Sequence, residues 1–290
     1  MSSFPSAAAY DRGSRHVRRL HMRVPDSAMR LQLQSMLEEA LRLTTLPGED
    51  QGRVYFFRRL QMPSLDSRLS PARWVASCSG HLLKISYGAR YAGDRQAQPS
   101  AAVYFHDHHE PRRTLLRRML AGENPREWFW PQATGVACEL PPPVRLEHVL
   151  EQWRVQPASW AGVARELLPL LDGKAAIKLI ELLRPVAAER WLDWLSSVPS
   201  RSAEQVAVPE LRSHTRELLR EICLRFPEED PRVLFFSVLA VLDSAPAIAQ
   251  DAALPVLAQV SLQNLYTASP VVRDQRGRLL NAPQYNKDAA

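Results

Sequence analysis

The chain has 290 residues, of which 46% are hydrophobic, and its 37 Lys and Arg against 31 Asp and Glu give a formal charge of +6 at pH 7. This composition excludes an intrinsically disordered chain and provides enough apolar residues for two modest domains or one large one. Three widely spaced cysteines exclude a disulfide framework, and no run reaches the roughly 18 apolar residues of a membrane-spanning helix.

The N-terminal part of the chain alternates between strand and helix patterns. Residues 1–14 are small and polar, and we expect them to be flexible. The segment "HVRRLHMRV" then places Leu20, Met22 and Val24 at strand spacing, and Pro25 opens a long helix that ends at "LPGED". The next strand, "RVYFFRRL", is apolar on both faces, which predicts an interior position in a sheet.

A second helix, a third strand and a third helix complete this part. In "SPARWVASCSGHLLKISYG" we expect Ser70 to cap a helix that has Pro71 in its first turn and ends at Gly88. The polar loop "AGDRQAQPS" leads to the strand "AAVYF", and a helix follows over residues 111–121. The order strand, helix, strand, helix, strand, helix predicts a small α/β module over residues 15–135.

The pattern changes to helices alone after a proline-rich linker at residues 136–143. Residues 144–266 predict an all-helical domain of antiparallel hairpins, in which "GKAAIKLIELLRPVAAERWLDWLSSV" is one long helix, and residues 267–290 predict a flexible tail. The fold class expected for the whole chain is therefore α+β, mostly α. With no secretory signal and no disulfide pattern, we expect a cytoplasmic protein without membrane partners.

Recognisable catalytic motifs are absent from the sequence. It contains no "GxSxG", no glycine-rich phosphate loop and no "HExxH", so we expect neither enzymatic activity nor a cofactor. The stretch "YFHDHHE" offers one alternative, a metal-dependent hydrolase centred on His106, His108 and His109, with His106 and His108 on one face of a strand end. The interpretation that we favour is a polar turn between a strand and a helix, because no spaced partners complete a ligand set.

Basic side chains are concentrated in the N-terminal half. Residues 1–135 contain 20 Lys and Arg against 12 Asp and Glu. Four of these arginines, Arg112, Arg113, Arg117 and Arg118, fall on one predicted polar helix face opposite a leucine-rich one. A basic half of this kind leaves open a second alternative, a nucleic-acid-associated protein, although no base-reading motif accompanies it.

The densest aromatic segment lies in "RRMLAGENPREWFWPQ", where a helix ends near Gly122 and leads to Trp128, Phe129 and Trp130. Bulky apolar side chains this close together either fill a core or anchor a partner. Burial is the more common outcome for Trp and Phe at the junction of two domains, and the anchor interpretation stays open.

Three segments, "HVRRLHMRVP", "RVYFFRRLQM" and "LLRRMLAGENPREWFWPQ", resemble the tape-measure-like proteins of contractile injection systems, which are phage-tail-like particles. In that family a strand–helix–strand unit precedes a short helix, a glycine turn and a tryptophan-rich segment, and helices like "ARELLPLLDGKAAIKLIELL" follow. The resemblance implies a non-enzymatic structural or assembly protein whose partners are tube, baseplate or assembly proteins. Its contact candidates are the three aromatic residues of the Trp-Phe-Trp segment, with the four helical arginines as secondary candidates.

Overall fold

The structure is a computed structural model that describes residue 17 and residues 27–61, 70–155, 160–197, 208–248 and 254–268. The predicted flexible N-terminus at 1–14, the predicted first strand with Leu20, and residues 269–290 of the predicted tail lie outside these ranges. The chain divides into two compact units: unit 1 comprises residues 1–115 and 125–139, and unit 2 comprises residues 116–124 and 140–290.

Unit 1 combines helices with one small sheet. Its elements are α1 (Ser27–Leu43), β1 (Val54–Phe57), α2 (Pro71–Tyr87), β2 (Arg90–Tyr91), β3 (Ala102–Phe105), the first half of α3 (Glu110–Leu120) and α4 (Trp130–Thr134). The predicted α+β, mostly α fold class is confirmed, and the predicted helix over residues 111–121 is α3. The two-residue strand β2 was not predicted.

The three strands form a sheet in the order β1-β3-β2. β1 runs antiparallel to β3, with Val54 opposite Phe105, and β2 runs parallel to β3, with Tyr91 opposite Tyr104. The prediction that β1 is interior is wrong for the described strands, because β3 occupies the centre. β1 is apolar on both faces for another reason: Phe56 contacts Phe105 on one face of the sheet, while aromatic rings meet on the other.

The α2 helix begins and ends where its flanking residues require. The Ser70 hydroxyl accepts a hydrogen bond from the Arg73 N–H at 3.4 Å, Pro71 occupies the first turn, and the Gly88 N–H donates to the Ile85 carbonyl at 3.1 Å. Trp74 and Cys78 of this helix lie in a small apolar cluster with Leu37 and Ala40 of α1. The predicted cap and end of α2 are therefore confirmed.

Unit 2 is helical in its described part. Its helices after α3 are α5 (Pro142–Val155), α6 (Trp160–Leu167), α7 (Gly173–Leu182), α8 (Pro185–Ser196), α9 (Ser213–Cys223), α10 (Pro231–Ser244) and α11 (Leu254–Ala268). The α10 helix is the core of the unit, because it is buried around most of its circumference and packs against α6, α8, α9 and α11. α5 begins inside the predicted linker, and α11 extends into the predicted tail by two residues. In the ranges described, no helix combines the length and apolarity needed to cross a membrane.

The segment predicted as one long helix from Gly173 to Val198 is two helices, and this prediction is wrong. α7 ends at Leu182, and α8 starts at Pro185. The cause is local: a proline disfavours helical geometry in the residue before it, and Arg184 has extended backbone angles of φ −77° and ψ 138°. The break lets Trp191 of α8 meet Trp160 of α6 and Phe235 of α10, each pair of rings being 4.9 Å apart between centroids.

Candidate functional site

The histidine-rich stretch is the connection between β3 and α3. β3 ends at Phe105 and α3 begins at Glu110, so His106 and His108 lie in the bends of a turn between a strand and a helix, as in the favoured interpretation, and not on the strand end that the metal alternative used. Asp107 organises the turn, because its Oδ1 accepts hydrogen bonds from the backbone N–H groups of His109 and Glu110, at 2.7 Å each. These bonds satisfy donors at the start of α3, which is the role of a helix cap.

The electrostatics of Asp107 fit that structural role. Partial burial alone would raise its pKa, but hydrogen bonds from the Glu110 N–H, the Arg113 guanidinium and the His109 N–H together lower the pKa below the ordinary value of 3.8. The Arg113 Nη2 lies 2.6 Å from the Asp107 Oδ2. This carboxylate is therefore ionised at neutral pH and engaged within the turn.

The three histidines of this turn do not converge on one point. The His108 and His109 rings lie against each other at 3.9 Å between centroids, whereas the exposed His106 ring lies tilted against Tyr91, with centroids 4.9 Å apart. Glu110 fixes the Tyr91 and His106 pair, because its carboxylate accepts hydrogen bonds from the Tyr91 hydroxyl and from the His106 backbone N–H, at 2.5 Å each. Within the described ranges, no three His, Cys, Asp or Glu side chains are grouped so that they could hold a metal ion.

The Trp-Phe-Trp segment supplies the core of unit 1. Phe129 and Trp130 are both 0% exposed, and their rings pack on Phe105 of β3 with centroids 6.1 Å and 5.8 Å away. The Trp130 Nε1 donates a hydrogen bond of 2.8 Å to the buried Glu127 carboxylate. Trp128 is half-buried and lies edge-on to Phe129. Two of the three aromatic contact candidates are therefore inaccessible in this structure.

The four arginines of α3 occupy different environments. The prediction that all four lie on one polar face is wrong for Arg112. Arg112 is buried, with 7% of its surface exposed. Arg113 pairs with Asp107 as described above, and the Arg118 Nε lies 2.6 Å from a carboxylate oxygen of Glu123. Of the four, Arg117 alone is exposed, so it is the arginine most available for contact with a partner.

An aromatic face of the sheet was missed at the sequence level. We define this aromatic face as five side chains on one side of the sheet: Tyr55, Phe57, Tyr91, Tyr104 and His106. The central ring, Tyr104, lies 5.9 Å from Tyr55 and 5.9 Å from Tyr91 between centroids, and the Arg53 guanidinium lies 4.4 Å above it. The aromatic residues in "RVYFF" and "AVYFH" indicate which side chains share a face of each strand, but the sequence does not show which strands pair.

An exposed tryptophan on unit 2 was also missed. Trp194 of α8 is 47% exposed, and the Arg154 guanidinium of α5 lies 4.9 Å from its ring centroid. The same two helices are joined by Arg184, whose Nε and Nη2 each donate to the carboxylate of the buried Glu147 at 2.5 Å. An exposed Trp held by an Arg has the composition typical of a protein-contact hot spot.

The chain was compared with protein-family models, with curated proteins and with solved structures, and none of the three comparisons returned a match.

Proposed function

We propose that the chain is a non-enzymatic structural or assembly component of a phage-tail-like contractile particle, and that it acts in the cytoplasm through protein–protein contacts. The observation that carries this proposal is the resemblance of three segments to the tape-measure-like family, in the order in which that family has them. The order is strand and helix, then "RVYFFRRLQM", then a short helix with a glycine turn and a tryptophan-rich segment.

The local geometry of the third segment supports the proposal. α3 ends in a left-handed glycine, Gly122 with φ 80°, whose N–H donates to the Met119 carbonyl at 3.0 Å. The next N–H, that of Glu123, reaches back to the Arg118 carbonyl at 2.9 Å, so the helix is closed by a compact glycine cap. A helix, a glycine turn and a tryptophan-rich segment therefore follow one another as distinct structural steps.

The helices favour an accessory or assembly role over that of a length ruler. A ruler needs long continuous helix, which rises about 1.5 Å per residue. The longest helices in the ranges described are α1 and α2, with 17 residues each, or roughly 25 Å. Unit 2 folds into short helices around α10, and prolines stand in the first turns of several of them.

The burial of Phe129 and Trp130 moves the expected contacts to other side chains. The accessible candidates are Arg117, the half-buried Trp128, and the Trp194 ring with the Arg154 guanidinium above it. Trp and Arg contribute a large share of the binding energy at protein interfaces, because both have large surfaces that can be desolvated at once. We assign partner contact first to Trp194 and Arg154.

The test is genetic and then biochemical. Genes for sheath, tube and baseplate proteins are expected next to the gene for this chain, and their absence would contradict the proposal. In a host that carries such a cluster, deletion of the gene should abolish intact particles in electron micrographs, and the wild-type gene should restore them. The Trp194→Ala variant should restore fewer particles than Val256→Ala, a matched control that truncates another exposed apolar side chain, on α11. Normal particles in the deletion strain would refute the proposal.

A further inference from the structure

The aromatic face defined above has the features of a binding platform and not of a core. The opposite side of the same sheet is buried, since Val103 and Phe105 are each 0% exposed and Phe56 is 8% exposed. On the aromatic face, Tyr55, Tyr104 and the other aromatic rings of the strands are half-buried and keep some accessible surface, and His106 is exposed. The sheet thus divides its aromatic residues into a buried phenylalanine side and an accessible side rich in Tyr and His.

The rings of this face form one continuous row. Tyr55 and Phe57 stack almost in parallel, with an interplanar angle of 13° and centroids 6.2 Å apart, and Tyr104 links Tyr55 to Tyr91. His106 closes the row, 4.9 Å from Tyr91 and 5.6 Å from Tyr104. Two of the rings are held in position by hydrogen bonds from their hydroxyl groups: the Tyr55 hydroxyl donates to the Pro47 carbonyl at 2.6 Å, and the Tyr91 hydroxyl donates to Glu110.

The charges around the row are complementary to a polyanion. Arg53 lies over Tyr104 at the start of β1, and two exposed arginines, Arg58 and Arg59, follow the end of the same strand. The nearest carboxylates of the turn are engaged locally, because Glu110 accepts from Tyr91 and His106, and Asp107 caps α3. Cross-strand aromatic pairs stabilise a sheet by themselves, but sheet stability requires neither an exposed His106 nor arginines at both ends of β1.

We propose that the aromatic face binds single-stranded nucleic acid, with bases stacked on Tyr91, on His106 and on the Arg53 guanidinium that lies over Tyr104, and with phosphates contacted by Arg58 and Arg59. Stacking on aromatic rings suits every base because each base has a π-face, and sheets that bind RNA typically stack two or three bases in this way. The arginine forks supply the salt-dependent attraction to the backbone. This inference is independent of the proposed particle role, because it concerns the purified chain alone.

The test is fluorescence anisotropy of the full-length chain with labelled single strands of about 15 nucleotides, of thymidine and of uridine, at about 50 mM salt. Two further probes separate the contributions: a duplex of the same length, whose bases are already stacked, and an abasic strand, which keeps the phosphates. The expected result is binding of the single strands, weaker binding of the duplex, and much weaker binding of the abasic strand.

Variants identify the face. His106→Ala removes an exposed ring, and Tyr104→Leu keeps apolar volume but removes the π-face; each should weaken binding roughly 5- to 150-fold. The matched control is Tyr87→Leu, which changes a tyrosine that is 77% exposed on α2 and should leave affinity unchanged. The pair Arg58→Gln and Arg59→Gln should reduce the salt dependence, whereas Arg73→Gln with Lys84→Gln, which removes the same charge from α2, should do so less.

Three results would overturn the inference. The first is no change in anisotropy at micromolar protein in low salt. The second is an abasic strand that binds as tightly as the thymidine strand, which would reduce the contact to charge alone. The third is equal loss of affinity in His106→Ala and Tyr87→Leu. Binding of a purified particle protein that is lost in His106→Ala, without any oligonucleotide binding, would instead make this face a protein interface.

Discussion

Replacing Trp130 with alanine tests whether the Trp-Phe-Trp segment is core or anchor. The side chain is 0% exposed and packs on Phe105 and Phe129, so its removal leaves a cavity in unit 1. Truncation of a buried Trp or Phe typically costs about 3–5 kcal/mol, and this variant also removes one hydrogen bond to the buried Glu127. A domain is stable by about 5–15 kcal/mol, so the expected loss is a third or more of the total for a domain of modest stability.

Because the chain forms two compact units, unfolding of the whole chain need not be one transition. Hydrogen exchange followed by mass spectrometry resolves the units, and peptides from β3 and α4 report on this core directly. A loss of about 3–5 kcal/mol raises their exchange rate by roughly 100- to 4,000-fold where exchange requires opening of the unit. Trp194→Ala is the matched control, since this ring is 47% exposed and its loss should cost about 0.5 kcal/mol or less. Unchanged exchange in Trp130→Ala, together with lost partner binding, would refute the assignment to the core.

Three further predictions concern the glycines, the acid cap and the thiols. Gly93→Ala would place a Cβ 2.5 Å from the Tyr91 ring and should destabilise the fold by about 1–3 kcal/mol. In the control Gly80→Ala, in α2, the added Cβ meets nothing within 4 Å and should stabilise the fold by up to about 1 kcal/mol. Thermal unfolding compares the two variants, and equal shifts of the melting temperature would contradict the packing of Tyr91. Asp107→Ala should lower the stability of the fold by about 0.5–2 kcal/mol at pH 7. Because the pKa of Asp107 in the folded chain lies below 3.8, its contribution to stability is present above about pH 4 and is lost as the pH falls through the folded pKa. The urea midpoints of variant and wild type should therefore converge in acid and not in base. Burial raises the pKa of the Cys78 and Cys223 thiols to about 11, so only about one thiol in a thousand is a thiolate at pH 8. Iodoacetamide should therefore label these two cysteines slowly in the native chain and fully in the unfolded chain. Rapid labelling of either one in the native chain would contradict its burial.

The elements that the sequence predicted well are those whose limits are set by local chemistry. α2 is the clearest case, because a serine cap, a first-turn proline and a terminal glycine act on their own backbone neighbours and need no tertiary contact. The same holds for the β3–α3 connection, where Asp107 and Glu110 satisfy nearby N–H groups. The break at Pro185 is also local, because the proline forces an extended backbone on Arg184; the apolar stripe continues across the proline, and this continuity favours one helix in the sequence pattern.

The aromatic face could not be predicted in the same way, because it depends on strand register. Tyr55 and Tyr91 are adjacent to Tyr104 only because β1 and β2 pair with β3 at those positions, and β2 is two residues long. A shift of one residue would turn the tyrosines to the buried side. Alternation within one strand is visible in a sequence, but the partner strand and its register come from long-range contacts.

The two aromatic clusters of unit 1 look alike in the sequence and differ in burial. Phe129 and Trp130 lie below the sheet, where Phe105 and a buried carboxylate leave no surface for a partner. Tyr104 and His106 belong to the same strand and the turn after it, yet they point to the other side and retain exposed surface. Alternation along β3 therefore gives adjacent residues opposite roles, so a substitution at Phe105 should act on stability, whereas one at His106 should act on binding and leave hydrogen exchange in β3 unchanged.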